Sequence, residues 1–309
     1  MRAPDAAVRL ADDLDRLLVP LVVVVGAVAV ALPEAGRAAD HSGLIDPTLA
    51  VLVLTAGFSI ETGQLGRLRT RWVRVVVALA ATTALLPLFA WALSRAASGG
   101  VRQAILAAGV APSEVASISL TGLAGGEIAV AAALLVASSV ITVLTAGPIL
   151  ALLAHTPNLH PTGLLVTLVT VVAAPLAAGG SLRPLFKRVE AAGDFVRILG
   201  GVTLLVLLWE VASQVRLEVS YLLAAGLLAG YLLGAASIGA IVTHGLDHAG
   251  KPGLLLPVAM RDFAVAAGVA AAAFGPASTG SLGIYGLLVL LFGALAARWA
   301  ARAPKPHQT

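Results

Sequence analysis

Apolar runs of about twenty residues alternate with short polar joints along the whole chain. A bilayer core about 30 Å thick takes about 20 apolar residues per helix. The pattern therefore predicts ten spans, at 15–33, 44–64, 72–94, 101–124, 127–154, 161–181, 195–214, 217–243, 252–275 and 279–301. The expected fold is an all-α polytopic membrane protein, with no joint long enough for a soluble domain. Composition agrees: 59% of residues are hydrophobic and 12% charged, where a soluble domain averages about 25% charged. Residues 1–16 carry both signs of charge, from Arg2, Asp5, Arg9, Asp12, Asp13, Asp15 and Arg16. A cleaved signal peptide starts purely basic, so Leu17–Leu32 reads as the first span.

Two spans break the pattern. The fourth contains Ala111–Glu127, with Pro112, Ser113, Glu114, Ser117, Ser119, Thr121, three glycines and Glu127. Proline lacks an N–H and disfavours the α region in the residue before it, so the helix should break near Ala111–Ser113. Ser113 and Glu114 can cap the half-helix that restarts. Glu114, Ser117 and Thr121 then share one face, at i, i+3 and i+7. The ninth span holds Lys251–Phe263, with Pro257 at mid-span followed by Arg261 and Asp262. Polar residues at membrane depth are costly and face a cavity or a partner helix.

Ten spans divide into halves of nearly equal length, 1–157 and 158–309. Five is odd, so the second half enters the membrane the other way round. Interrupted spans four and nine then occupy matching positions in a five-plus-five inverted repeat, where a transported solute binds. Charge sets the orientation. Fifteen of the twenty Lys and Arg residues, including Arg67, Arg69, Arg71, Arg74, Arg183, Lys187, Arg188, Arg197 and Lys251, fall on the side that holds both termini. Four fall on the other, and Arg261 lies within span nine. By the positive-inside rule both termini are cytoplasmic. The Ala, Val, Leu and Gly richness suggests a GC-rich bacterium, and hence its inner (plasma) membrane. The net charge of +4 sits in loops beside apolar runs and is no nucleic-acid signal.

These stretches resemble the bile acid:sodium symporter superfamily. Its first pattern runs Pro, small residues, Ser-Asn, then Thr-x-Leu-Ala-x-Gly-Asp. Pro112, Ser117, Thr121, Leu123, Ala124, Gly126 and Glu127 follow it, with Glu for the final Asp. Its second runs Glu-x-Gly-Met-Gln-Asn and then small, apolar residues, and Val258, Met260 and Ala264–Ala266 fit. Pro87 matches the Met-Pro of the third span. The resemblance implies a panel of spans 1, 2, 6 and 7, a core of spans 3–5 and 8–10, and two interrupted helices crossing in that core. It also implies transport of organic anions between the two parts, with sodium as the usual coupling ion.

The sodium ligands implied by the resemblance are missing. Ile118, Ala131 and Leu135 stand at the first site, and Pro257, Arg261 and Thr82 at the second. A hard cation wants several oxygen ligands, so sodium coupling of the family kind is not expected. Arg261 is expected to stand in for the ion, neutralising Glu114, Glu127 or Asp262. Against that, it could pair with Asp262 simply to stabilise the crossing. A desolvated carboxylate can also carry a proton, which makes the proton a candidate coupling partner. Thr82, Ser113, Glu114, Ser117, Ser119, Thr121, Met260, Arg261 and Asp262 are the expected solute-binding residues. Glu114, Glu127, Arg261 and Asp262 are the expected charge-coupling groups, and Ile118 and Phe263 shape the site.

The remaining signals are weaker. His244 and His248 at i, i+4 read as a solvated loop, since Gly245 between them weakens a helix and zinc needs more ligands. Asp12, Asp13 and Asp15 faintly resemble the Asp-rich motif of membrane prenyltransferases, but no second cluster exists. Glu61 and Glu210 lie near span ends and read as interfacial. Protease, hydrolase and phosphate-loop motifs are absent, and no cofactor or metal is expected. The chain has no Cys, which weakens the likeness to the arsenite-efflux branch. The expected function is secondary transport of a small organic solute, an anion or a zwitterion. The alternatives are a cation/proton antiporter or channel on the same fold, using Asp262 and Glu127, and, with less behind it, a membrane-embedded enzyme using Asp12 and Asp13.

Overall fold

The computed structural model describes residues 3–34, 36, 44–59, 71–154, 161–186, 190–215, 219–275 and 278–302. These residues form helices α1 (Ala3–Ala31), α2 (Ile45–Ser59), α3 (Trp72–Ser94), α4 (Gly99–Val110), α5 (Ala116–Leu123) and α6 (Ile128–Ala154). They continue as α7 (Thr162–Phe186), α8 (Glu190–Ala212), α9 (Val219–Val242), α10 (Gly250–Ala259), α11 (Phe263–Phe274) and α12 (Gly280–Arg302). No strand occurs among them. Among the described residues six helices are long and apolar enough to cross a membrane, namely α3, α6, α7, α12 and segments within α8 and α9. Shorter apolar helices accompany them at Pro20–Ala31, Asp46–Phe58 and Phe263–Phe274. The protein is a polytopic, all-helical membrane protein.

Proline shapes several helices without ending them. In α3 and α7 a π-helical turn, Ala81–Leu85 and Val169–Ala173, lies just before Pro87 and Pro175. Each proline deprives the carbonyl four residues back of its N–H, and the ladder relaxes locally to a wider turn. Pro257 sits inside α10, which runs on to Ala259. The second break therefore comes at Met260–Asp262 rather than at the proline that suggested it.

Glycine sets how closely the helices approach. A Cβ on Gly179 of α7 would lie 2.1 Å from the Leu54 carbonyl of α2, and one on Gly57 2.3 Å from the Leu176 carbonyl. Only a residue without a side chain permits this backbone contact, the close approach that stabilises helices in lipid. α1 packs along α8, and α2 along α7 and α8. Around the breaks, α4 packs on α3, α6 and α11, while α10 packs on α6 and α9. The buried core is built of Ala, Leu and Val from both sets.

Candidate functional site

α4 ends at Val110 and the chain turns extended at Ala111, with ψ 153°. It restarts as α5 at Ala116, and α10 likewise stops at Ala259 before α11 starts at Phe263. The two unwound segments meet as an antiparallel bridge between Ser113 and Arg261. Glu114 N donates to Met260 O at 2.9 Å, and Asp262 N donates to Pro112 O at 2.9 Å. Backbone groups freed by breaking two helices inside an apolar core must find partners. Here each segment supplies them for the other.

The bridge brings together two helix N-termini, with partial positive charge, and two C-termini, with partial negative charge. Each carboxylate sits at an N-terminus. Asp262 caps α11, its Oδ1 accepting from Ala264 N at 3.0 Å and Val265 N at 2.9 Å. Glu114 accepts from Ala116 N at 3.5 Å and reaches across to Phe263 N at 3.3 Å. The carbonyls at the end of α4 draw donors from other helices. Thr142 Oγ1 of α6 donates to Val110 O at 3.1 Å, and Tyr231 OH of α9 to Ala108 O at 3.3 Å. Arg261 Nη2 donates to Ala111 O.

Arg261 is 1% exposed, and its Nε and Nη1 have no hydrogen-bond partner. Among the described residues it makes no direct ion pair with Glu114, Glu127 or Asp262. The carboxylates are taken up by helix N-termini, and the guanidinium by a helix C-terminus. Ser113 bonds to Ser138 of α6, its N–H donating at 3.1 Å to an Oγ that lies 3.3 Å from its own. Ser138 and Thr142 were missed in the sequence because nothing local marks them. Met260 and Phe263 pack on glycines of α12: a Cβ at Gly293 would lie 2.5 Å from Met260 Sδ, and one at Gly286 2.8 Å from the Phe263 ring.

The other expected site residues are distributed more widely. Ser117 is buried with an unpartnered hydroxyl. Thr121 donates to Pro252 O at 3.3 Å, tying α5 to α10. Thr82 lies in the π turn of α3 and donates to Leu79 O at 3.0 Å. Glu127 is not at the crossing. Arg71 Nη2 holds it at 2.9 Å and also holds Asp247 at 2.7 Å. Burial opposes ionisation of Asp247, but the Gly250 N–H and the Arg71 guanidinium outweigh it and hold the carboxyl below its usual range. Next to Asp247, His244 lies exposed in the turn after α9. Among the described residues no cluster of His, Asp and Glu could hold a metal. Glu210, expected at an interface, is 1% exposed inside α8, where its Oε1 accepts from Thr48 Oγ1 at 3.4 Å. Glu61 lies outside the described residues.

Open space lies beside the crossing. A cavity of about 120 Å³ separates α5 from α1, α2 and α8. Ile118 and Ser119 line it from α5, Thr55 and Leu52 from α2, and Arg197, Gly200 and Gly201 from α8. Of the expected binding and shaping residues, only Ser119 and Ile118 reach it. Its one charged lining residue is Arg197, which pairs with Asp194 at 3.3 Å.

The model of the Sodium Bile acid symporter family matches residues 46–225, which include the first broken helix and most of the cavity lining. The chain belongs to that family. This symporter-family chain is thus a membrane transporter of the bile acid/sodium symporter type. No curated protein matches it.

Proposed function

We propose that this family member carries a small organic solute, an anion or a zwitterion, by alternating access without coupling to sodium. The observation that carries the reading is the cavity between α5 and the α1, α2 and α8 set. One wall belongs to a half-helix that starts at the crossing, so motion of the crossing reshapes the cavity. We read α1, α2, α7 and α8 as the panel and the remaining helices as the core. The two reciprocal backbone bonds at Glu114 and Asp262 support an inverted repeat. Arg71, Glu127 and Asp247 come from joints assigned to one side of the membrane, and their ion pairs support that topology.

The cavity lining is mostly apolar, with Ser119 and Thr55 hydroxyls and the Arg197 guanidinium. Such a surface suits a solute with an apolar body and a carboxylate, which a guanidinium binds by paired hydrogen bonds. Arg261 stands at the crossing as a fixed charge, while Pro257 and Thr82 offer a cation at most one hydroxyl oxygen. The bacterial inner membrane is the expected setting. The antiporter reading is less well supported, because Asp262 caps α11 and Glu127 is held by Arg71. The test is uptake into proteoliposomes of a panel of carboxylates and zwitterions, with imposed sodium or proton gradients. Carboxylate uptake unaffected by replacing sodium with choline is expected, with Arg197→Gln raising KM about ten-fold. Uptake driven only by a sodium gradient would refute the uncoupled reading.

A further inference from the structure

We infer that the last turns of α12 carry a binding site for the headgroup of an anionic phospholipid, built by Leu295, Arg298, Trp299 and Arg302. These four residues recur at i, i+3, i+4 and i+7, so they share one face of the helix. They line an open recess of about 410 Å³. The opposite face is packed, with Gly293, Ala294 and Ala297 buried. Leu295 and Trp299 are 67% and 78% exposed, and both arginines are exposed.

Charge singles this face out. Among the described residues neither guanidinium has an ion-pair or hydrogen-bond partner. Other arginines are taken up by protein groups: Arg71 by Glu127 and Asp247, Arg74 by the Val242 carbonyl and Arg95 by the Trp91 ring. The recess has no carboxylate in its lining. Its two positive charges stand four residues apart, about 6 Å along the helix axis. Both can therefore reach one phosphate group, which a guanidinium binds through paired hydrogen bonds. The C-terminus of α12 opposes an anion with about half a negative charge. Two full positive charges outweigh it.

The rest of the face fits a lipid rather than a soluble phosphate. α12 is long and apolar enough to span the membrane, so its last turns lie at the membrane surface, on the side to which the charge count assigns both termini. Trp299 suits the boundary between water and hydrocarbon, and Leu295, one turn deeper, meets an acyl chain. A headgroup that carries an ammonium, as in phosphatidylcholine, brings a positive charge beside two guanidiniums and finds no carboxylate to receive it. A net-negative headgroup, as in phosphatidylglycerol, meets no such repulsion, and basic residues at the membrane surface attract it. The site is separate from the cavity beside the crossing and does not depend on which solute is carried.

The chain has no Cys, so Leu291→Cys places a single fluorophore one turn below Leu295 and outside the recess. The full chain is reconstituted in phosphatidylcholine vesicles, and quenching by lipids with brominated acyl chains is followed. Brominated phosphatidylglycerol should quench at about ten-fold lower mole fraction than brominated phosphatidylcholine. Arg298→Gln and Arg302→Gln should each cut that ratio about three-fold, and the double variant should bring it to about one. Lys251→Gln removes an exposed charge on the same side, outside the recess, and should leave the ratio unchanged. Equal quenching by the two lipids in the parent would overturn the site. An equal loss in Lys251→Gln would also overturn it, by reducing the preference to diffuse surface charge. Displacement of phosphatidylglycerol by soluble glycerol phosphate would do so too, by giving the arginines to a free anion. A dimer in light scattering that Trp299→Ala abolishes, without any lipid preference, would give the face to a second copy and end the proposal.

Discussion

The two interrupted helices share a backbone plan and differ in charge. Pro112-Ser113-Glu114 and Met260-Arg261-Asp262 each give one N–H to the other, and each ends in a carboxylate at the start of the next half-helix. Between those features the segments diverge. Ser113 is small and tied to Ser138, whereas Arg261 reaches to the Ala111 carbonyl with two nitrogens unpartnered. The carboxylates answer a need common to both breaks, since any helix N-terminus in an apolar core favours an anion. The guanidinium is placed at the end of α4 and has no counterpart in the Pro112-Ser113-Glu114 segment. A permanent charge kept dry on one side only is a costly asymmetry, and costly intramembrane charges are usually kept for function.

The largest expected effect follows from that asymmetry. Arg261→Gln keeps one donor for the Ala111 carbonyl but removes the fixed charge. Solute uptake in proteoliposomes should fall to background. Stability should drop by about 2 kcal/mol, the scale of a buried hydrogen bond to a charged group. Wild-type uptake in the variant would reduce Arg261 to a helix cap. Next comes the contrast between the carboxylates. Asp262→Ala removes two short N-cap bonds and should cost about 1–2 kcal/mol in thermal or denaturant unfolding. Glu114→Ala removes only bonds of 3.3 and 3.5 Å and should cost less. Equal losses would mean that the two carboxylates are energetically equivalent.

Ser138→Ala tests the small side of the comparison. It deprives Ser113 N–H of its acceptor and should lower stability by about 1 kcal/mol. The smallest effect belongs to the ion pairs around Arg71. Asp247 is 60% exposed at its side chain, so Asp247→Asn should cost well under about 1 kcal/mol. Its carboxyl is held below the usual range when folded. Its contribution is therefore present above the unfolded value of about 3.9 and is lost as pH falls through the folded value. The parent should lose a little stability on acidification that Asp247→Asn does not, and high salt should erase the difference.

Much of the architecture could be read along the chain, because apolar runs and their interruptions are local. Pro112 places the first break, since a missing N–H and a disfavoured α conformation act within two residues. The sequence marks Asp262 as a charge inside span nine, while its capping of α11 emerges only in the structure. Pro257 misled by a few residues because α10 absorbs it and runs on to Ala259.

Residue contacts across the fold were another matter. Periodicity put Glu114, Ser117 and Thr121 on one face of α5, but it could not say what that face would meet. Folding turned it to Phe263, to the buried core and to Pro252, and gave the cavity to Ser119 and Ile118 instead. Glu127 went to Arg71, fifty-six residues earlier, and Glu210 to the dry interior. Sequence determined where helices begin, break and carry charge, because those rules are settled by hydrogen bonds a few residues long. Which charge meets which partner was decided only when segments up to 176 residues apart were packed together.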